Sequence, residues 1–283
     1  MDDYGLILSF PSADKGWLML IPDHGMNSSP GDLYRTDDGG DDWQLVNSTD
    51  KNPHTEENYE QASEPDFENP HPYLVCDGSI AFQNASNGWL FGSLASTTPA
   101  FLFETRDAGQ TWQVEKFPLP PSLHNGRIEP WELPHFFGND GIVGTHFVST
   151  NNDSTNFCTV IYNTHDGGKT WQAATPVKFG GVWNFISAKI GWMWSPEPHN
   201  TTSTAPVKGI LYRTDDGGGL WKPMQADNGL KKYLTHGEDI VQLDFVDEDC
   251  GWAIARDWRN VTQLLHTTDS GQTWNAVQTK MQK

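Results

Sequence analysis

Residues 267–274 read Thr-Thr-Asp-Ser-Gly-Gln-Thr-Trp, and residues 245–252 ahead of them read Phe-Val-Asp-Glu-Asp-Cys-Gly-Trp. The first stretch sets a short carboxylate two residues before a glycine and closes on a large aromatic. An acceptor that reaches its own turn amides, beside a residue that tolerates positive φ, is the chemistry of a tight turn. The same stretch recurs at Thr36–Trp43 (TDDGGDDW), Thr105–Trp112 (TRDAGQTW), Thr164–Trp171 (THDGGKTW) and Thr214–Trp221 (TDDGGGLW). Its aspartates are Asp38, Asp107, Asp166, Asp216 and Asp269, spaced 50 to 69 residues apart. Gly16-Trp17, Gly88-Trp89, Gly191-Trp192 and Gly251-Trp252 each follow a Phe six residues before the glycine (Phe10, Phe82, Phe185, Phe245). The third copy is degenerate, with Gly141-Ile142 after His135-Phe136-Phe137.

A repeat period of this size calls for a stacked or radial architecture, and each unit reads as four short strands. In the last unit the strands are Asp239–Val246, Trp252–Arg256, Gln263–Thr267 and Trp274–Val277, with the aspartate turn between the third and fourth. The sequence therefore predicts an all-β fold, a single β-propeller of five four-stranded blades spanning 4–47, 77–117, 132–175, 181–225 and 239–278. All five units are complete, so ring closure would rest on packing between blades.

The chain carries 37 acidic and 18 basic residues among 283, a formal charge of -19. That balance repels nucleic acid and anionic membranes and suits a neutral or cationic ligand. No apolar run approaches the roughly 18 residues that a membrane-spanning helix needs. Thirteen Trp and 14 Phe compensate for a hydrophobic content of only 36%. Cys76, Cys158 and Cys250 allow at most one disulfide and have no metal-type spacing. Six Asn-x-Ser/Thr sequons begin at Asn27, Asn47, Asn84, Asn152, Asn200 and Asn260, triplets that polar turns also generate by chance.

The repeats resemble the Asp-box (BNR) propeller superfamily and, within it, the photosystem II assembly and stability factor-like group. Segments such as FVDEDCGWAIA and LLHTTDSGQTW carry the resemblance, which covers essentially the whole chain. It implies that the boxes shape the fold and leave function open. The photosystem group is described with more than five blades and with a basic patch, whereas this chain has only Lys231-Lys232 as a cationic cluster. A sialidase would need an arginine cluster and an Arg-Ile-Pro-type motif near the start, and Arg127-Ile128-Glu129-Pro130 is only a faint echo of that motif, in the wrong repeat.

In a propeller the Asp boxes share one face, and the loops between blades share the other. Candidate chemistry lies on that second face. The stretch 47–77 brings His54, Glu56, Glu57, Glu60, Glu64, Asp66, Glu68 and His71, and the stretch 118–134 brings His124, Arg127, Glu129, Trp131 and Glu132. His236, Glu238 and Asp239 follow in the last such loop, with His24, Glu197 and His199 in turns of the same face. The residue before each Phe is expected near the axial tunnel, which nominates Ser9, Ala81, Asn184 and Asp244, together with Trp183. Candidate catalytic groups are Glu132, His236, Glu238 and Asp244. Candidate ligand contacts are Trp183, Asn184, Asp244, His135, Arg127 and Asp239.

No cofactor is predicted. A divalent metal is possible on imidazole and carboxylate ligands, although no recognised ligand spacing occurs. The favoured reading is a module that binds a protein or a small polar or cationic ligand, with no nucleic-acid partner and no membrane span. The alternative is a hydrolase or lyase acting on a carbohydrate or other small molecule from the same face.

Overall fold

A computed structural model describes residues 4–22, 31–48, 76–93, 100–149, 158–197, 208–224, 229–235 and 238–278. Five antiparallel sheets follow one another along the chain. The first contains β1 (Tyr4–Ser9), β2 (Gly16–Pro22), β3 (Asp32–Thr36) and β4 (Gln44–Ser48). The second contains β5 (Cys76–Phe82), β6 (Gly88–Ser93), β7 (Ala100–Thr105) and β8 (Gln113–Val114). The third is built from β9 (Gly126–Pro130), β10 (His135–Phe137), β11 (Asp140–Ser149), β12 (Cys158–Thr164) and β13 (Gln172–Ala173). The fourth runs β14 (Val182–Phe185), β15 (Gly191–Pro196), β16 (Gly209–Thr214) and β17 (Lys222–Pro223). The fifth runs β18 (Asp239–Phe245), β19 (Gly251–Arg256), β20 (Thr262–Thr267) and β21 (Asn275–Ala276). Strand order is sequential in the four regular sheets, which is the meander of a propeller blade.

The third sheet departs from expectation. The stretch 118–134 contains a strand, β9, which pairs with β11 beside β10. The first strand of this blade therefore comes in two pieces, and the blade begins at Gly126 rather than near residue 132. A 3-10 turn, Leu230–Tyr233, precedes the fifth sheet, with Leu230 and the following Leu234 fully buried.

The chain divides into two compact units. One holds Met1–Pro118 with Arg127–Pro134 and Val143–His146; the other holds Leu119–Gly126, His135–Ile142 and Phe147–Lys283.

Each aspartate turn is closed by the same bonds. The buried threonine hydroxyl donates to the aspartate Oδ1 at 2.6–2.9 Å and accepts the amide of the glycine four residues on at 2.9–3.0 Å. Oδ1 also accepts the amide four residues beyond the aspartate, from Asp42, Thr111, Thr170, Leu220 and Thr273, at 2.8–3.0 Å. These bonds favour the ionised carboxylate. Asp166 is held down to about 2 chiefly by the Thr170 amide, and Asp38 is lowered chiefly by the Asp42 amide. Hydrogen bonds of the same kind lower Asp107 and Asp269 against an opposing effect of burial.

The Phe…Gly-Trp pattern has a steric origin. A Cβ on Gly16, Gly88, Gly141, Gly191 or Gly251 would lie 2.4–2.6 Å from the ring of Phe10, Phe82, Phe136, Phe185 or Phe245. Only glycine lets the phenyl ring settle on the neighbouring strand. In the degenerate blade the ring belongs to Phe136, five residues before its glycine, so His135 occupies the position ahead of it.

Consecutive sheets join through the tryptophan. In the first unit Trp17 stacks on Phe82 of the next sheet at 3.8 Å and 7°, and its indole N–H donates to Ala108 O at 3.0 Å. In the second unit Trp192 stacks on Phe245 at 3.9 Å and 4°, and donates to Ser270 O at 3.0 Å. Ala108 and Ser270 each follow the aspartate of their turn. The third sheet has no such tryptophan, and two residues share its task. Ile142 is fully buried against Phe185, Met193 and Trp221, and Asn163 Nδ2 donates to Gly217 O at 3.0 Å. Gly217 is the equivalent carbonyl, so the joint survives with its apolar and polar parts on separate side chains.

Candidate functional site

At two of the four positions before a Phe, the side chain is engaged by the next sheet. The Ser9 hydroxyl oxygen accepts the amide of Phe82 at 2.7 Å, and Asn184 Oδ1 accepts the amide of Phe245 at 2.9 Å. Both side chains pin the first strand of the following sheet, a correction that follows from the pleat. Side chains alternate along the strand, so if the Phe faces the preceding sheet, its neighbour faces the next one. Trp183 lies two residues before Phe185 and shares its side, packed 4.9 Å from that ring within the core of the fourth sheet. It packs, half-buried, against that core. Asp244 has the same position in the fifth sheet and is exposed, across the ladder from Trp252.

Three further candidates are held by neighbours. Asp239 Oδ1 accepts the indole N–H of the buried Trp194 at 2.8 Å and the amide of Ile240 at 2.8 Å. It ties the start of β18 to the fourth sheet. Glu132 Oε1 accepts the indole N–H of Trp131 at 2.8 Å. The exposed Arg127 donates from Nε to Glu129 Oε1 at 2.6 Å. His135 is exposed, with its ring 5.7 Å from that of Trp183. Glu238 is half-buried, and His124 is exposed. His236, His24, His199 and the acidic stretch with His54 and His71 lie outside the described residues.

Two groupings were not read from the sequence, although Trp131 was named within its own stretch. Trp131 lies 4.0 Å from the ring of His146, and a Cβ on Gly144 would meet its indole at 2.5 Å. Burial lowers the His146 imidazole to about 4, so it is neutral at physiological pH. The signal was present in Gly144-Thr145-His146 on a strand, but only the fold shows that Trp131 covers it.

The other group is the turn between β19 and β20. Asp257 Oδ1 accepts the amides of Arg259 and Val261 at 2.9 and 2.8 Å, and Asn260 adopts a φ of +62°. This small, cross-braced turn presents Trp258 at 48% exposure and Val261 at 63%. The Arg259 guanidinium lies 4.7 Å from the Trp258 ring centre. Asp239 pairs with Arg256, so this turn stands at the end of the fifth sheet opposite its aspartate turn. An aromatic inside a polar Asp-Trp-Arg-Asn turn was the available signal.

The described surface offers shallow depressions. One of about 230 Å³ lies on the fifth sheet among Gln242, Asp244, Trp252, Ile254 and Leu264. Another of about 270 Å³ lies in the first unit beside Arg35, Asp37, Gln44 and Gln110. The carboxylates whose acidity is displaced, namely Asp37, Asp38, Asp107, Asp166, Asp215 and Asp269, are all displaced downward. Among the described residues no three His, Cys, Asp or Glu side chains come together as metal ligands. No helix among them is long and apolar enough to cross a membrane. Cys158 and Cys250 are free thiols, and burial raises that of Cys158.

No protein-family model matches the chain, and no curated protein matches it. Solved structures do. An ulvan lyase of polysaccharide lyase family PL25 aligns over 99% of this chain and 70% of its own, with 10% identity and a TM-score of 0.54. The GH74 enzyme of Niastella koreensis aligns over 96% of this chain with 11% identity and a TM-score of 0.48, and this chain spans 38% of its length. YCF48 from Cyanidioschyzon merolae aligns over 98% of this chain and 86% of its own, with 17% identity and a TM-score of 0.36. With five antiparallel sheets among the described residues, four of them simple meanders, the likeness to the ulvan lyase identifies a β-propeller fold. At such identity it speaks for fold alone.

Proposed function

We propose that the chain is a five-bladed Asp-box (BNR) propeller acting as a binding module, which engages a protein or a small polar or cationic ligand through the face opposite its Asp boxes. The observation that carries this reading is the braced turn at Asp257–Val261. It holds an indole and a guanidinium in solvent, at the sheet end where propeller loops converge. A rigid exposed aromatic supplies contact area at little entropic cost. The charge of -19 favours a neutral or cationic partner. Glu132 and Asp239, two of the candidate carboxylates, each accept an indole N–H.

The test is titration of neutral and cationic oligosaccharides and basic peptides, followed by tryptophan fluorescence. Trp258→Ala should abolish the response to whichever probe binds, at an unchanged melting temperature. Deleting residues 52–69 should also alter binding while unfolding stays cooperative. Turnover of ulvan, xyloglucan or arabinan that is lost in Glu132→Gln would replace this reading with the hydrolase or lyase one. Binding unaffected by both Trp258→Ala and Arg259→Ala would remove the proposed surface.

A further inference from the structure

Each unit holds one arginine built into a joint between sheets, and the two arginines stand at the same position of the repeat. In the first unit the Arg35 guanidinium lies 5.5 Å from the ring centre of Trp17, just ahead of the turn that begins Thr36-Asp37. In the second unit Arg213 lies 5.1 Å from that of Trp192, just ahead of Thr214-Asp215. The first turn of the following sheet is also the same in both. Asn84 Oδ1 accepts the amides of Ser86 and Asn87, as Asp247 Oδ1 accepts those of Asp249 and Cys250, all at 2.7–2.9 Å. The Ser86 carbonyl accepts the Ala108 amide and the Asp249 carbonyl the Ser270 amide, both at 2.9 Å. Ala85 therefore stands where the second unit has Glu248.

That one difference leaves the two sites unequal. Arg213 donates from Nε to Asp215 Oδ1 at 3.0 Å and from Nη2 to Glu248 Oε2 at 2.7 Å. Lys222 Nζ adds a bond to Asp215 at 3.2 Å, so two cations meet two carboxylates. Arg35 has only the carboxylate of its own turn. Its Nη2 donates to Asp37 Oδ1 at 2.6 Å, and the same oxygen accepts Lys15 Nζ at 2.7 Å. Here two cations share one carboxylate, and Arg35 Nε is buried with no acceptor among the described residues. The neighbouring Asp38 spends its Oδ1 on its own turn. Beside Arg35 and Asp37 lies the depression of about 270 Å³, walled also by Gln44, Leu45 and Gln110.

We propose that this depression binds the carboxylate of a small ligand, which takes the place on Arg35 that Glu248 takes on Arg213. The incoming carboxylate accepts from Nη2, and Asp37 moves to Nε, the atom on which Asp215 sits in the second unit. The move gives a buried donor its acceptor and pairs the second cation. Gln44 and Gln110 offer carboxamides to polar groups on the rest of the ligand, and Leu45 offers an apolar contact. The volume falls below the roughly 300–1,000 Å³ of drug-sized sites and suits a small acid. The site belongs to the Asp-turn end of its sheets and does not rest on the reading of the Asp257–Val261 turn.

Glutarate and N-acetylglutamate are the probes, with glutaramide as the neutral control, titrated into the full chain at low ionic strength. Calorimetry gives affinity and stoichiometry, and the arginine Nε–H resonances in nitrogen-labelled protein report the site. Both acids should move one such resonance, the one missing from Arg35→Gln, and glutaramide should move none. Ala85→Glu supplies the carboxylate from within and should weaken both acids by about 10-fold or more, a result that stands even if Arg35→Gln fails to fold. Glu248→Ala should open the matching site at Arg213 and bind a second acid. A glutamate-containing tripeptide amide that binds more tightly than glutarate assigns the carboxylate to a peptide side chain, and weaker binding assigns it to a free acid. Wild type that responds to neither acid overturns the proposal. So does an equal response to glutaramide, binding that Ala85→Glu leaves unchanged, or a Glu248→Ala variant that gains no second site.

Discussion

Asn184→Ala separates a residue that joins sheets from one that contacts ligand. Asn184 Oδ1 accepts the amide of Phe245 at 2.9 Å, and Phe245 is 3% exposed. Alanine leaves that amide without its acceptor, in a place water reaches poorly. A hydrogen bond lost in this way, with the donor stranded, costs about 1–3 kcal/mol. For a domain of this size each kcal/mol moves the melting temperature by about 2–4 °C. The expected fall is about 2–12 °C in the transition that contains the fourth and fifth sheets, read by differential scanning calorimetry. Asn184→Asp keeps an acceptor at the same reach and should recover most of the loss, much as Asp244 holds the same place in the fifth sheet. Ser9→Ala should produce a comparable fall through the Phe82 amide. A melting temperature within about 1 °C of wild type for Asn184→Ala would refute the pin, as would an Asn184→Asp variant no better than alanine.

Asp216→Ala removes the acceptor of both the Thr214 hydroxyl and the Leu220 amide, and should cost about 1–2 kcal/mol in urea unfolding without altering ligand binding. An unchanged midpoint would show that the turn does not need its carboxylate. Gly251→Ala would place a Cβ 2.5 Å from the Phe245 ring and should destabilise by about 1–3 kcal/mol, a figure that a chemical-denaturation midpoint checks directly. The Asp166 carboxyl is lowered from 3.8 to about 2 in the folded state. Its contribution is therefore complete above the ordinary value and lost as pH falls through the folded one. Melting temperature should drop between pH 4 and pH 2, with Asp38, Asp107 and Asp269 acting in the same direction. Asp166→Asn should flatten part of that slope, and a profile identical to wild type would sink the assignment.

The repeat was legible because its two signatures have local causes. The Thr-x-Asp-x-Gly turn closes on its own amides, and the Phe…Gly-Trp spacing follows from a ring lying on a glycine. Both can be read along one strand or one turn. The strand bounds of the last unit, predicted at 239–246, 252–256, 263–267 and 274–277, lie close to the observed β18 to β21. What a strand's side chain faces is set by the neighbouring sheet, and the sequence of one repeat does not contain that neighbour. Asn184 and Asp239 therefore read as ligand contacts although they join sheets. The stretch 118–134 read as a loop because Trp131, Glu132 and the prolines break its alternation, yet β9 pairs along β11. Trp258 escaped notice because an aromatic among thirteen tryptophans carries no mark of exposure.

The tryptophan joint has one more consequence, for how the molecule comes apart. Trp192 belongs to the fourth repeat, but its ring and its N–H are spent on the fifth. The boundary of cooperative opening should then fall inside the repeats and not between them. Each opening unit would consist of the back of one sheet and the front of the next. Amide exchange at Phe245 would report the integrity of the fourth sheet before that of its own. The joint after the third sheet, split between Ile142 and Asn163, has no single side chain to hold it and is where exchange should begin.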